Sequence, residues 1–397
     1  MAQKKNAVIV GGGTSKFGVR QAHLLDMIQE AARACADDIP ALKPEDIDGL
    51  IVATTMAGRH SSALNTAPLV VHRLGLRPTS ICIRLDTLCA GSNSAIIVAK
   101  GLVESGISEV VLVTGAEKVY MPQRWETNYT QLMVNDHDWD SAMGLGVPPP
   151  FFAMIAKMHM KRYGTTKEQM AAVSVTNYTY GDGHTNGHFA GRTLTIKEAL
   201  EARIIADPFG LYDCCPLSDG ASAVIIASEE RAKEMTDRPM VYLRGTGQHA
   251  SHSMSAGWPG ETLAEWTHLK IAGEVAFKNA RLTPKDIDVA QTHDCFTISE
   301  IIELEELGFC KKGEGGEFVA SGAIKLDGAI PTNTDGGLLV YGHPFGASGA
   351  RQAIEICKQL QARALHQVKD ARFGLTHNLS GTCAQHTVVI YGREPVK

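Results

Sequence analysis

The 397-residue chain carries 38 Lys and Arg against 43 Asp and Glu, a net charge of −5, so it has no basic surplus for nucleic acid. With 44% hydrophobic and 20% charged residues, it has the make-up of a globular protein with one or two cored domains. No apolar run approaches the ~20 residues that span a bilayer, the opening MAQKKNAVIVGGG is too short for an export signal, and the final PVK is no peroxisomal address, so the cytoplasm is expected.

The first third alternates two kinds of segment. NAVIV (6–10), GLIVATT (49–55), ICIRL (81–85) and VVLVTG (110–115) have the length and composition of buried strands. Between them, LLDMIQEAARACADD (24–38) and SAIIVAKGLVESG (94–106) repeat apolar residues at helical spacing. The alternation predicts an α/β architecture with parallel strands. GGGTSKFG at 11–18 fails as a dinucleotide fingerprint, because position 16 is lysine, and as a P-loop, because Gly18-Val19-Arg20 replaces Gly-Lys-Ser/Thr. It reads as a glycine-rich turn.

The middle of the chain breaks the pattern. MPQRWETNYT (121–130), the three prolines at 148–150 and GDGHTNGHFAGR (181–192) predict a loop or lid domain over 119–200. Trp125, Trp139, Phe151 and Phe152 are candidates to line an aromatic pocket there, although aromatic side chains more commonly pack a core.

The alternation then resumes with strands MVYLRG (240–245), VAQTHD (289–294) and ARFGLTHN (371–378), and helices AEWTHLKIAGEVAFKNA (264–280) and ASGARQAIEICKQLQARAL (347–365). PEDID (44–48) returns as PKDID (284–288), each time between a helix-like and a strand-like segment, which marks an internal duplication. The halves are 1–118 plus 201–240, and 241–397, with 119–200 inserted into the first.

Nine cysteines include no Cys-x-x-Cys pair, which favours free thiols over disulfides and gives no support for a structural zinc site. Cys89, in LDTLCAGSNSAI (85–96), sits between a strand and a helix start. Helix-end N–H groups there favour thiolate, the nucleophilic form, although a cysteine taken alone is more often buried packing. Three further motifs carry reactive groups: HDCF (293–296) at a strand end, YGHPFGASGAR (341–351), and HNLSGTC (377–383). His343 stands before proline in a glycine-packed loop, as a group does when it must approach something closely.

In this order, Cys89, HDCF, GHPFGASGAR and NLSGT resemble the thiolase superfamily, in the sterol-carrier-type or archaeal-type branch. ADP (206–208) and DCCPLSDGA (213–221) resemble that branch too, so the likeness spans essentially the whole chain. The resemblance implies two βαβαβαββ halves in a five-layered αβαβα arrangement, with a loop domain inserted in the first. It also implies a dimer or tetramer acting on coenzyme A thioesters, with coenzyme A as co-substrate and no permanently bound cofactor or metal. In its terms Cys89 is the acyl-accepting nucleophile, His343 its base, and His293 an oxyanion donor. The backbone N–H groups of Cys89 and Gly381 form a second oxyanion hole.

Two departures stand out. Asn378 and Ser380 occupy the places of a Cys-x-Gly motif that carries the acid/base cysteine in many thiolases, so the resemblance passes that role to Cys295, ahead of Cys383. Gly91 stands where the family usually has serine, beside the nucleophile. The expected reaction is thiolysis of a 3-oxoacyl-CoA, or the reverse Claisen condensation, on acetoacetyl-CoA, a longer chain or an aromatic substrate such as benzoylsuccinyl-CoA. A condensing synthase of the same superfamily and a non-catalytic thioester- or lipid-binding homologue are the alternatives. A small zinc-ribbon/OB-fold partner protein, common in this branch, is a further expectation.

Overall fold

The computed structural model describes residues 5–123, 125–128, 134, 138, 141–142, 144–250 and 262–396; Trp139 lies outside them. Eleven strands are present in the described residues: β1 (Ala7–Thr14), β2 (Gly49–Ala53), β3 (Ile81–Leu85), β4 (Val110–Glu117), β5 (Ile204–Ala206), β6 (Phe209–Gly210), β7 (Gly220–Ser228), β8 (Val241–Ala250), β9 (Val289–Gln291), β10 (Phe373–Ser380) and β11 (Gln385–Gly392). The principal helices are α1 (Leu24–Asp38), α2 (Gly91–Glu104), α3 (Pro148–Tyr163), α4 (Lys167–Tyr180), α5 (Thr267–Ala280), α6 (Thr297–Glu306) and α7 (Ser348–Leu360). None is long and apolar enough to cross a membrane.

Nine strands form one mixed sheet in the order β3-β2-β4-β7-β1-β8-β11-β10-β9. β2 runs parallel to β3 and β4, and β9 parallel to β10, while β7 and β11 run antiparallel to both neighbours. The two sets of strands meet where β1 pairs with β8, at Val8↔Tyr242 and Ile9↔Val241. The antiparallel β7 and β11 depart from the parallel sheet expected from the alternation. β11 follows β10 across a short turn with no helix between them, and β7 returns beside β4 only after the inserted segment, so strand–helix alternation reveals neither.

Strand periodicity sorts side chains into layers. Ala7, Ile9, Val111, Val113, Val224, Ile226, Val389 and Tyr391 pack in a central layer with α2 and α7. Their sequence neighbours Val8, Val10, Val110, Leu112 and Ile225 pack outward against α1. On the other side, Leu375, Leu379, Val388 and Ile390 pack with α3, α5 and α6. The result is five layers, with α2 and α7 shared by both sets of strands. The repeated pentapeptides play one part twice: Pro44–Asp46 and Pro284–Asp286 are single-turn 3₁₀ helices. Asp48 then accepts the N–H groups of Glu109 and Val110 at 2.8 and 3.2 Å, and Asp288 those of Arg372 and Phe373 at 2.7 and 2.8 Å. Each carboxylate ties its turn to the parallel partner of the strand it precedes, β4 beside β2 and β10 beside β9.

Two local expectations change. Gly11–Gly13 belong to β1 rather than to a turn. A Cβ on Gly12 would come within 2.5 Å of the Ala223 carbonyl, so glycine here serves close packing inside the sheet. The three prolines open α3, where a missing N–H costs nothing, so the insert is built on helices α3 and α4.

Candidate active site

Cys89 lies in a single 3₁₀ turn, Leu88–Ala90, that leads directly into α2. The preceding Leu88 takes a left-handed φ of 51°, held by its N–H donating to Asp86 at 3.0 Å. This kink turns the thiol out at the end of the helix. The backbone N–H groups of Gly381 and of Cys89 itself face the sulfur and oppose the upward push of burial on the thiol. Gly381, with φ of 58°, sits in the turn between β10 and β11.

His343 is placed from the other half, in the loop before α7. Gly342 has φ of 108°, and a Cβ on it would come within 2.5 Å of Ser218 Oγ. Ser218 Oγ accepts the His343 N–H at 3.3 Å, and Glu117 accepts the Gly346 N–H at 3.2 Å, tying the loop to the ends of β7 and β4. The ring Nδ1 lies 2.7 Å from Ser348 Oγ.

His293 and Cys295 follow the end of β9. His293 Nδ1 accepts from Asn378 Nδ2 at 2.9 Å, which leaves the proton on Nε2, an atom with no protein partner. Cys295 stands two residues before α6, with its sulfur 3.7 Å from Ser299 Oγ. Asp294 turns away, accepting the N–H groups of Leu338 and Leu339 at 2.7 and 3.1 Å.

These groups converge. Cys89 Sγ and one ring nitrogen each of His293 and His343 lie within 4.8 Å of one another, and the two rings meet edge to face with centroids 4.8 Å apart. They open on a cavity of about 90 Å³ whose walls include Cys295, Cys215, Phe152, Phe296, Leu379 and Gly381. Phe296 stacks between Phe152 and Phe209 at 4.4 and 5.4 Å, so the insert supplies one wall.

Electrostatics follow burial. His343 is held at about 3 by burial and by the Arg351 charge, and His293 lies well below the usual imidazole range. Burial pushes the Cys89 and Cys295 thiols up, against the N–H donors at Cys89. The lowered thiol pKa expected from the helix end is therefore reversed, and the resting pair is a neutral thiol beside a neutral imidazole.

The sequence matches the thiolase N-terminal domain over residues 7–230 and the thiolase C-terminal domain-like family over 247–393. The chain belongs to the thiolase family. It is 35% identical over 391 residues to an acetyl-CoA acetyltransferase of Methanothermobacter thermautotrophicus, covering 98% of this chain and 100% of that one. It is 30% identical over 395 residues to sterol carrier protein 2 of Bos taurus, covering 95% of this chain and 70% of that protein. Among solved structures, an Ltp2-ChsH2(DUF35) aldolase superposes with a TM-score of 0.83 at 26% identity, covering 99% of both chains.

In this thiolase, the structure brings Cys89, His293, Cys295, His343 and Gly381 to one cavity. Cys383 is fully buried but is not part of the cavity wall. Gly91 faces Ala53 and Gly346 and is not among the residues that line the cavity. Trp125 is exposed, Phe151 packs in the core, and of the described lid aromatics only Phe152 reaches the cavity. Cys214 and Cys215 also line it, although the DCCPLSDGA motif gave no hint of their position. In the sequence Asn378 stands out only as a mismatch; its contact with His293 shows once β9 and β10 are paired in register.

Proposed function

We propose that this thiolase cleaves a 3-oxoacyl-CoA by thiolysis, or runs the reverse condensation, through an acyl group carried on Cys89. The observation that carries the reading is the meeting of Cys89, His293 and His343 within 4.8 Å at an apolar cavity walled by Cys295. His343 Nε2 takes the Cys89 proton as the sulfur attacks C3, and the N–H groups of Cys89 and Gly381 hold the oxygen that becomes charged there. The C2–C3 bond then breaks, and its electron pair forms the thioester enolate, whose oxygen His293 Nε2–H stabilises with help from His343.

Cys295 gives its proton to C2, releasing the thioester that carries C1 and C2 (acetyl-CoA for an unbranched substrate) while the shortened acyl group stays on Cys89. The Cys295 thiolate takes the proton of an incoming coenzyme A thiol, whose sulfur attacks the acyl group. Cys89 departs and recovers its proton from His343. No net proton is needed from solvent, which suits a pocket whose groups are neutral at rest. The apolar walls suit a hydrocarbon or aromatic acyl body; Phe152 and Phe296 set its limit.

A homodimer or tetramer is part of the reading, since β3 is a sheet edge with no second partner strand among the described residues. The two-component name of the aldolase neighbour supports a separate partner protein, and the nine free thiols support a reducing, cytoplasmic setting. The test is mass spectrometry of the chain mixed with a panel of 3-oxoacyl-CoA substrates. One adduct of acyl mass on Cys89 is expected, with none in Cys89→Ala. Turnover by Cys89→Ala would remove the covalent route, and with it the distinction from an aldolase, whereas no adduct and no turnover in the wild type would favour a binding homologue.

A further inference from the structure

Behind the His293 wall runs a buried line of polar groups for which the proposed reaction has no use. His386 Nε2 lies 3.1 Å from the Cys383 carbonyl oxygen, and His386 Nδ1 lies 3.1 Å from His377 Nε2. His377 Nδ1 lies 3.5 Å from Glu303 Oε2, which also accepts the His293 backbone N–H at 2.8 Å. All four side chains, His293 included, are fully buried.

The carbonyl at one end sets the direction of every link. A carbonyl only accepts, so His386 carries its proton on Nε2. A neutral ring then has a lone pair on Nδ1, so His377 must donate from Nε2. That leaves His377 Nδ1, which has no hydrogen-bond partner in this structure, as a lone pair 3.5 Å from Glu303 Oε2, a contact that a carboxylic acid at Glu303 suits and a carboxylate does not. Burial acts the same way, pushing Glu303 far above the carboxylate range, holding His377 at about 3 and lowering His386.

The two ends of this line are informative. One holds the backbone of His293; the other holds the β10–β11 turn, in which Cys383 takes a left-handed φ of 64° two residues after Gly381. We infer that Glu303, His377 and His386 are positioning residues, a buried polar brace that fixes the oxyanion donor on His293 relative to the one on Gly381. The inference rests on the proposed roles of His293 and Gly381. The brace joins α6, β10 and β11 to the segment that follows β9, beneath the site. It stays neutral among the other titratable groups facing it. Asp294 and Cys295 from the β9 end and Cys383 from the turn face Glu303, Glu300 lies on its own helix, and His268 and His249 face His386.

The experiment combines kinetics with ¹⁵N NMR of histidine-labelled protein. In the wild type at neutral pH, His377 and His386 are expected as neutral rings protonated on Nε2. A charged ring, or His386 protonated on Nδ1, overturns the inference without any variant having to fold. Glu303→Gln can accept from His293 and donate to His377, so kcat is expected to stay within about 3-fold of wild type. Glu303→Ala and His386→Phe are expected to lose roughly 10²-fold in kcat with KM little changed, the scale of a misplaced oxyanion donor. Glu303→Gln as impaired as Glu303→Ala, or His386→Phe with wild-type kcat, also overturns it. His293→Ala separates the two levels: full activity there refutes the oxyanion reading, whereas an inactive His293→Ala beside unimpaired brace variants refutes only the brace.

Discussion

Ser348 Oγ lies 2.7 Å from His343 Nδ1 and donates its own proton to the Pro344 carbonyl at 3.1 Å, so towards the ring it can only accept. The proton of the neutral imidazole therefore sits on Nδ1, and the lone pair of Nε2 is left for Cys89. One hydroxyl at the first residue of α7 thus sets which ring nitrogen is left with a lone pair to act as the base in the proposed reaction. Ser348→Ala removes that choice and leaves Nδ1–H unpartnered in a buried site. The rate of Cys89 acylation is expected to fall roughly 10–100-fold, less than the ~10²–10⁴ for losing a general base outright. Rapid-quench measurement of acyl-enzyme formation checks this; an unchanged rate means that something else fixes the ring.

The two candidate acid/base thiols occupy different places. Cys295 is on the cavity wall, whereas Cys383 is behind it, in the turn whose carbonyl His386 holds. Cys295→Ala is expected to stop exchange of the α-protons of acetyl-CoA with deuterated solvent while still permitting acylation of Cys89. Cys383→Ala is expected to keep exchange within about 3-fold of wild type, since the residue touches no reacting atom. The opposite pattern, read by proton NMR, would transfer the role to Cys383.

Asn378 carries a further expectation. Its amide holds His293 Nδ1 at 2.9 Å, so it determines that His293 presents an N–H, rather than a lone pair, to the cavity. Asn378→Ala leaves that nitrogen free to take the proton. A loss of ~10²–10³-fold in kcat, with little change in KM, is the cost expected for one oxyanion donor. Alkylation of Cys89 by iodoacetamide should proceed at the wild-type rate, because His343 and Ser348 are untouched. If both rates fall together, Asn378 supports the whole pocket rather than one donor.

What the sequence makes legible here is what lies within short motifs. Cys89, His293, Cys295 and His343 each sit in a local pattern of strand end, glycine or proline that shows where the backbone must bend. The three prolines mislead because proline breaks a helix only from within; at the first turn it starts α3, and Phe152 follows on the cavity side. Gly11–Gly13 mislead in the same way, since glycine marks a close approach as readily as a turn. The partnership of Glu303, His377 and His386 has no local signature. It arises from the pairing of β10 with β11 and the seating of α6 across them, which depend on contacts distant in sequence.

The pH dependence of acylation tests the neutral resting state. Burial, aided by the Arg351 charge, depresses His343 to about 3, below the 6.5 of a free imidazole. Between those values the unfolded chain binds a proton that the native ring does not. The stability this ring contributes is therefore complete above pH 6.5 and declines by about 1.4 kcal/mol per pH unit as pH falls towards 3. His377, also at about 3, acts in the same direction. Glu117, Asp294 and Glu355, pushed up to about 7 by burial, act oppositely: their contribution is complete in acid and lost as pH rises to 7. Because these effects offset one another in the unfolding curve, the acylation rate is the cleaner readout. From pH 8 to 5.5 it is expected to show no inflection near 6.5, because the base is already neutral throughout. A tenfold fall per unit below 6.5, in protein still folded by circular dichroism, would mean that His343 titrates as an exposed ring and that the pocket is open to water at rest.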